Sequence, residues 1–129
     1  MPQNMPVVTG DVLSAATYNS LVQFTVNAQT GTTYTPVLND QYQVLIVTSN
    51  ASAKTVSIPT DASVAFPTGT AITFLNTGAG ALTINAVSSG TTTITSAGAA
   101  SAAPTVAQYR SAVAIKTGAN AWTVVGAVA

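Results

Sequence analysis

Val44-Leu45-Ile46-Val47 runs through Thr48-Ser49-Asn50-Ala51-Ser52-Ala53 into Lys54-Thr55-Val56-Ser57-Ile58, and this stretch sets the reading of the whole chain. Its first four residues form a continuous apolar run of strand length, which predicts a strand covered on both faces. Lys54 to Ile58 alternates instead, with Val56 and Ile58 turned inward and Thr55 and Ser57 outward. The small polar residues at 50–53 are turn formers, so the pair is predicted to close as a hairpin.

Downstream the pattern recurs. Ala71 to Leu75 places Ile72 and Phe74 on one face, and Leu82, Ile84 and Ala86 do the same in the following run. Asn76-Thr77-Gly78-Ala79-Gly80 lies between them, and its glycines suit the positive φ of a hairpin loop. No strict internal repeat is visible: the turns at Asn50 and Gly78 are alike only as hairpins are alike. Thr91 to Thr95 is a short polar strand suited to a sheet edge, and 97–104 is a loop of small residues. Ala112 to Thr117 and Ala121 to Gly126 form a last hairpin across Gly118-Ala119-Asn120, with Val113 and Ile115 facing in and Trp122 and Val124 sharing a face.

Upstream, Thr33 to Leu38 reads as a strand, and the period-two pattern begins at Thr25. Residues 12–24 hold the one helix candidate. Ser14 can cap it, and Tyr18, Leu21 and Val22 share an apolar side, which predicts a short helix from Ser14 to Leu21. Met1 to Val12 carries Pro2 and Pro6, which hold the preceding residues extended. It is expected to be an arm that docks on neighbouring molecules. These signals predict an all-β chain: a single β-sandwich of about eight strands, jelly-roll or immunoglobulin-like, with an extended N-terminal arm and one short helix. The expected division is 1–27 for arm and helix and 28–129 for the sandwich. The expected core is Ile46, Val56, Ile58, Ile72, Phe74, Leu82, Ile84, Val113, Ile115 and Val124.

Composition narrows the function. Of 129 residues 47% are hydrophobic, yet only 5% are charged, against about a quarter in ordinary domains. Lys54, Arg110 and Lys116 are the basic residues, Asp11, Asp40 and Asp61 the acidic ones, and there is no Glu, His or Cys. Three scattered cations are too few to neutralise phosphates, so neither nucleic acid nor an anionic membrane surface is expected as a partner. A near-neutral surface gives little colloidal repulsion, which suits a chain built into an assembly.

Chemistry-bearing groups are correspondingly few. Asp40 and Asp61 are the one carboxylate pair outside the arm, and both sit among turn formers, where Asp commonly caps local backbone. A Ser111–Lys116 pair is the remaining nucleophile–base combination, and the two are isolated in the pattern. Gly78-Ala79-Gly80 lacks the Lys-Ser/Thr and helix of a phosphate loop. Trp122 sits at an alternating position and reads as core or interface packing in preference to a sugar platform. No catalytic, cofactor-binding or metal-binding residue is assigned, and the chain is expected not to be an enzyme.

Thr30-Gly31-Thr32-Thr33-Tyr34-Thr35, Asp40, Ser49 through Pro59, Phe66-Pro67-Thr68-Gly69-Thr70-Ala71-Ile72, Asn76 through Ile84, and finally Tyr109, Lys116 and Trp122-Thr123-Val124-Val125-Gly126 follow one another in a telling order. That order resembles a β-domain of tailed-phage virion proteins, found in tail fibres and in small capsid decoration proteins. It covers about residues 28–127, and Gly10 through Asn19 resembles the segment that precedes such domains. The resemblance implies a homotrimer displayed on the virion surface. Fibre proteins are usually long, with a shaft. This chain starts with its own methionine and shows no shaft, so the expected role is a capsid decoration (cement) protein on the outer capsid surface, partnered by the major capsid protein and by itself. The alternative is a fibre-tip or head-fibre module that binds a host receptor or glycan.

Overall fold

Thr25, where the alternation begins, is also where the first strand begins. A computed structural model of the chain describes residues 14, 15 and 23–129. The arm Met1 to Val12 and all but the first two residues of the helix expected at Ser14 to Leu21 lie outside the described residues. Ten strands follow: β1 (Thr25–Gln29), β2 (Thr33–Tyr34), β3 (Val44–Thr48), β4 (Lys54–Ile58), β5 (Ala71–Asn76), β6 (Leu82–Ala86), β7 (Thr93–Ser96), β8 (Thr105–Val106), β9 (Arg110–Gly118) and β10 (Ala121–Gly126). The 27/28 division therefore falls inside β1.

The strands form two mixed sheets. One has six strands in the order β1-β3-β5-β9-β10-β7, the other four in the order β2-β4-β6-β8. Inward residues of both sheets join one hydrophobic cluster, which includes Ile46, Ile72 and Phe74 from the first and Val56, Leu82 and Ile84 from the second. The all-β expectation holds, and so do eight of the ten expected core residues: Ile46, Val56, Ile58, Ile72, Phe74, Leu82, Ile84 and Val124 are buried.

The expected hairpins at Asn50 and Gly78 are overturned. β3 belongs to the six-stranded sheet and β4 to the four-stranded one, and β5 and β6 divide in the same way. Each turn is thus an arch that carries the chain across the core. β1–β2, β3–β4 and β5–β6 are three successive arches, stacked so that β1, β3 and β5 run parallel in one sheet while β2, β4 and β6 run parallel in the other. Backbone bonds tie the turns together. The Ser49 N–H donates to Gln29 O, Thr55 N–H to Thr32 O, Thr77 N–H to Thr48 O and Lys54 N–H to Ala81 O. The likeness of the two turns is therefore a structural repeat. Parallel stacking of this kind also sets the topology apart from the jelly-roll and immunoglobulin-like alternatives, whose sheets are antiparallel.

The glycines serve the stack. Neither Gly78 nor Gly80 has a positive φ. A Cβ on Gly78 would instead lie 2.7 Å from the Ser49 carbonyl carbon and closer still to Asn50 O; one on Gly80 would lie 2.6 Å from Ala53 N. The second arch approaches too closely to admit a side chain there. Gly31, on the first arch, has nothing within 4 Å, because among the described residues no further arch is stacked beyond it.

Other differences have local causes. The strand expected at Thr33 to Leu38 pairs only at Thr33–Tyr34, since Pro36 has no N–H for the ladder. The chain then bends into a 3-10 turn, Leu38–Gln41, held where the Asp40 carboxylate accepts the Val37 N–H at 2.9 Å. β9 and β10 do form the expected antiparallel hairpin, and β7 is an edge strand as expected. The phase of β9 is opposite to the expected one: Ala112, Ala114 and Lys116 are buried, while Val113 and Ile115 lie half-buried on the outer face.

Candidate interaction surface

The charged residues are placed first, because they decide what the surface is made of. Asp40, Lys54 and Lys116 are all buried. The Asp40 carboxylate accepts from Tyr34 Oη at 2.5 Å and from Asn27 Nδ2 at 3.0 Å. Burial, with donation to Asp40, pushes the Tyr34 hydroxyl up to about 12. This network lies at the first arch, where Thr25, Asn27 and Gln29 occupy the positions that Val44, Ile46 and Thr48 take on β3. It gives the exposed end of the stack a polar, satisfied interior, as terminal units of stacked architectures require.

Lys54 binds two arches at once. Its Nζ donates to Asn50 O and to Gly80 O, both at 2.7 Å, and burial lowers its pKa. Asn76 completes the joint, donating to Gly80 O and Val106 O and accepting the Gly78 N–H. Lys116 points inward from β9 and donates to Asp61 Oδ1 at 2.7 Å and to Phe66 O at 2.6 Å. The Lys116 ammonium beside Asp61 holds that carboxyl below the usual carboxylate range, helped by the Asn120 N–H.

The candidate chemical pairs therefore do not assemble. Asp40 and Asp61 belong to separate networks with no shared partner. Ser111 is exposed on the outer face of β9 and Lys116 is buried on its inner face. Trp122 is 2% exposed and meets Phe66 edge-to-face with centroids 5.6 Å apart, so its ring packs in the core and cannot serve as a sugar platform. Among the described residues no three metal-ligating side chains cluster, and no helix is long and apolar enough to cross a membrane.

Taking the charges inside leaves Arg110 as the exposed charged residue among the described residues. The outer face of the six-stranded sheet is the largest consequence. In register, Val26 on β1 pairs with Leu45 on β3, Leu45 with Thr73 on β5, Thr73 with Val113 on β9, and Val113 with Val125 on β10. A second row runs Ala28, Val47, Leu75 and Ser111. A third runs Ala71, Ile115, Thr123 and Thr95. Aliphatic side chains, threonines and Ser111 make up these rows without one charge. Val26 is 61% exposed at one end of the first row and Val125 is exposed at the other; Phe24, just before β1, is exposed as well.

Neither family models, nor curated proteins, nor solved structures match this chain. Its function must be argued from the surface itself.

The signal for this face was present in Val44-Leu45-Ile46-Val47. A strand apolar on both sides needs cover on both sides. Ile46 has that cover from the core, whereas Leu45 and Val47 are only half-buried. Sequence reasoning missed the extent of the face because it turned Val113 and Ile115 inward. A second exposed feature stands at the arch end of the same sheet. Tyr109 is 74% exposed with φ 61°, and its N–H donates to Asn76 O.

Proposed function

We propose that the chain is a structural virion protein, a capsid decoration (cement) protein that sits on the outer capsid surface and stabilises it. Its body is a β-sandwich of stacked arches, and it contacts the major capsid protein and copies of itself. The outer face of the six-stranded sheet carries this reading. An extensive apolar, charge-free sheet face is chemistry for standing surface-to-surface contact. Among the described residues the charges other than Arg110 are engaged within the fold: Lys54 bonds one arch to the next, and Asp61 with Lys116 bonds the loop after β4 to the β9–β10 hairpin. A decoration protein needs such a body, rigid and neutral with a surface that prefers a partner to water. The order of motifs shared with phage virion β-domains points the same way.

The test is location. Antibody labelling or imaging of intact particles should place the protein on the head, and particles lacking it should lose integrity at lower temperature. Particles whose heads carry none of it, and whose heat resistance is unchanged by its loss, exclude the role.

The second reading, a fibre module that binds a receptor or glycan, has one observation in its favour. Non-glycine residues take positive φ at a cost, and such outliers gather at functional sites. Tyr109 presents an aromatic ring on that backbone, and ring faces stack on sugars. Labelling on fibres, with loss of cell attachment in Tyr109→Ala, favours this reading over the first.

A further inference from the structure

We propose that the outer face of the six-stranded sheet is where copies of this chain bind one another. The inference rests on reading that face as an assembly surface, and names its occupant.

Size is the first argument. Six strands at about 4.8 Å and about five residues at 3.3 Å make a face of roughly 29 by 17 Å, so two such faces enclose roughly 1,000 Å², where specific interfaces begin. One such face, roughly 490 Å², lies in the range of the largest apolar patch on a monomer, about 300–600 Å², a patch that is often functional.

Charge is the second. No row of the face carries an ionisable group, so nothing on it complements a charged partner, and an ion buried against it would lose its water without compensation. The surface that matches a flat, neutral field of Val, Leu, Ile and Thr is another such field. Self-complementary patches are the ordinary route to closed homo-oligomers, and sheets pack face to face at about 10 Å through side chains of this kind.

The third argument is internal to the strand. Val113 and Ile115 lie outside while Ala112 and Ala114 lie inside. Lys116 must be inside to reach Asp61 and Phe66 O, and period two then turns the two larger aliphatic residues outward. A solvent-facing strand carries polar residues at those positions. Val113 and Ile115 are instead residues of a covered face.

Sedimentation of the intact chain at micromolar concentration, with Val113→Lys and Val26→Lys beside it, tests this. The wild type should sediment as an oligomer. Each lysine should shift it to monomer, with dissociation at least a hundredfold easier, while far-UV circular dichroism keeps its β signature. Val26 is an exposed edge residue, so its variant folds even where Val113→Lys does not. An oligomer that survives a folded lysine variant overturns the proposal, and so does a monomeric wild type. A chain that self-associates through this face yet is absent from virions keeps the inference and removes the cement reading.

Discussion

Gly78→Ala probes the stacking of the arches more sharply than any core truncation. The added Cβ meets backbone, the Asn50 oxygen and the Ser49 carbonyl carbon at 2.7 Å, and no side chain can swing away to admit it. The third arch must lift from the second, which strains or breaks the bonds from Thr77 N–H and Gly78 N–H to Thr48 O. Overpacking costs about 1–3 kcal/mol, and two weakened backbone bonds add about 1 kcal/mol each, so a loss of about 3–5 kcal/mol is expected. At this chain length that lowers the melting temperature by on the order of 10 °C or more. Gly31→Ala on the first arch is the internal control. Nothing lies within 4 Å of its Cβ and its φ is not positive, so it should be neutral or raise stability by up to about 1 kcal/mol. Urea unfolding of both variants, with unchanged m-values, reads the difference directly. A hairpin at Gly78 contains no such neighbouring arch. If Gly78→Ala loses less than about 1 kcal/mol, or no more than Gly31→Ala, the arches are not stacked as described.

Phe74 is fully buried between the sheets, and Phe74→Ala should cost about 3–5 kcal/mol; a loss under about 1 kcal/mol would remove it from the core. Asp61→Asn leaves the buried Lys116 ammonium without its counter-ion, but Asp61 itself is 29% exposed, so a loss of about 2 kcal/mol is expected at neutral pH, below that of a fully buried pair. The wild-type carboxyl titrates below its ordinary value when folded, so its contribution is present above pH 3.8 and disappears as pH falls through the folded value; the variant should lack that acid-side loss in a melting series. Tyr34 titrates at about 12 in the folded chain against 10 unfolded, so the unfolded chain releases this proton first and stability should fall between pH 10 and 12. Tyr34→Phe should flatten that alkaline limb, and a limb of unchanged slope would show that the Tyr34–Asp40 bond does not hold the first arch.

The strand content, and most inward positions, were legible along the chain. Val56 and Ile58 on β4, Ile72 and Phe74 on β5, and Leu82 and Ile84 on β6 all point where period two places them, because side chains of a strand alternate whatever the strand pairs with. The same rule explains what was hidden. An arch and a hairpin both join two alternating strands through small turn residues, and both bury the same side chains. They differ only in whether the two strands bond to each other or face each other across the core. That choice lies with partners far along the chain: β3 bonds to β5 and β4 to β6, the paired residues 28 positions apart in each case.

β9 shows the limit most plainly. By apolar size alone Val113 and Ile115 outrank Ala112 and Ala114 for the inside. The structure reverses them because Lys116 belongs with Asp61, 55 positions away, and with the Phe66 carbonyl, and one inward residue sets the facing of every other on the strand. The sequence by itself determined that this is a β chain with few charges, and it marked eight of the fifteen buried hydrophobic residues as core. The tertiary structure alone decided which strands pair, why Gly78 and Gly80 are bare, and that the six-stranded sheet turns an apolar face outward. Period-two patterning is a local property of backbone geometry, whereas pairing and the neutralisation of a buried charge are set by residues that only folding brings together.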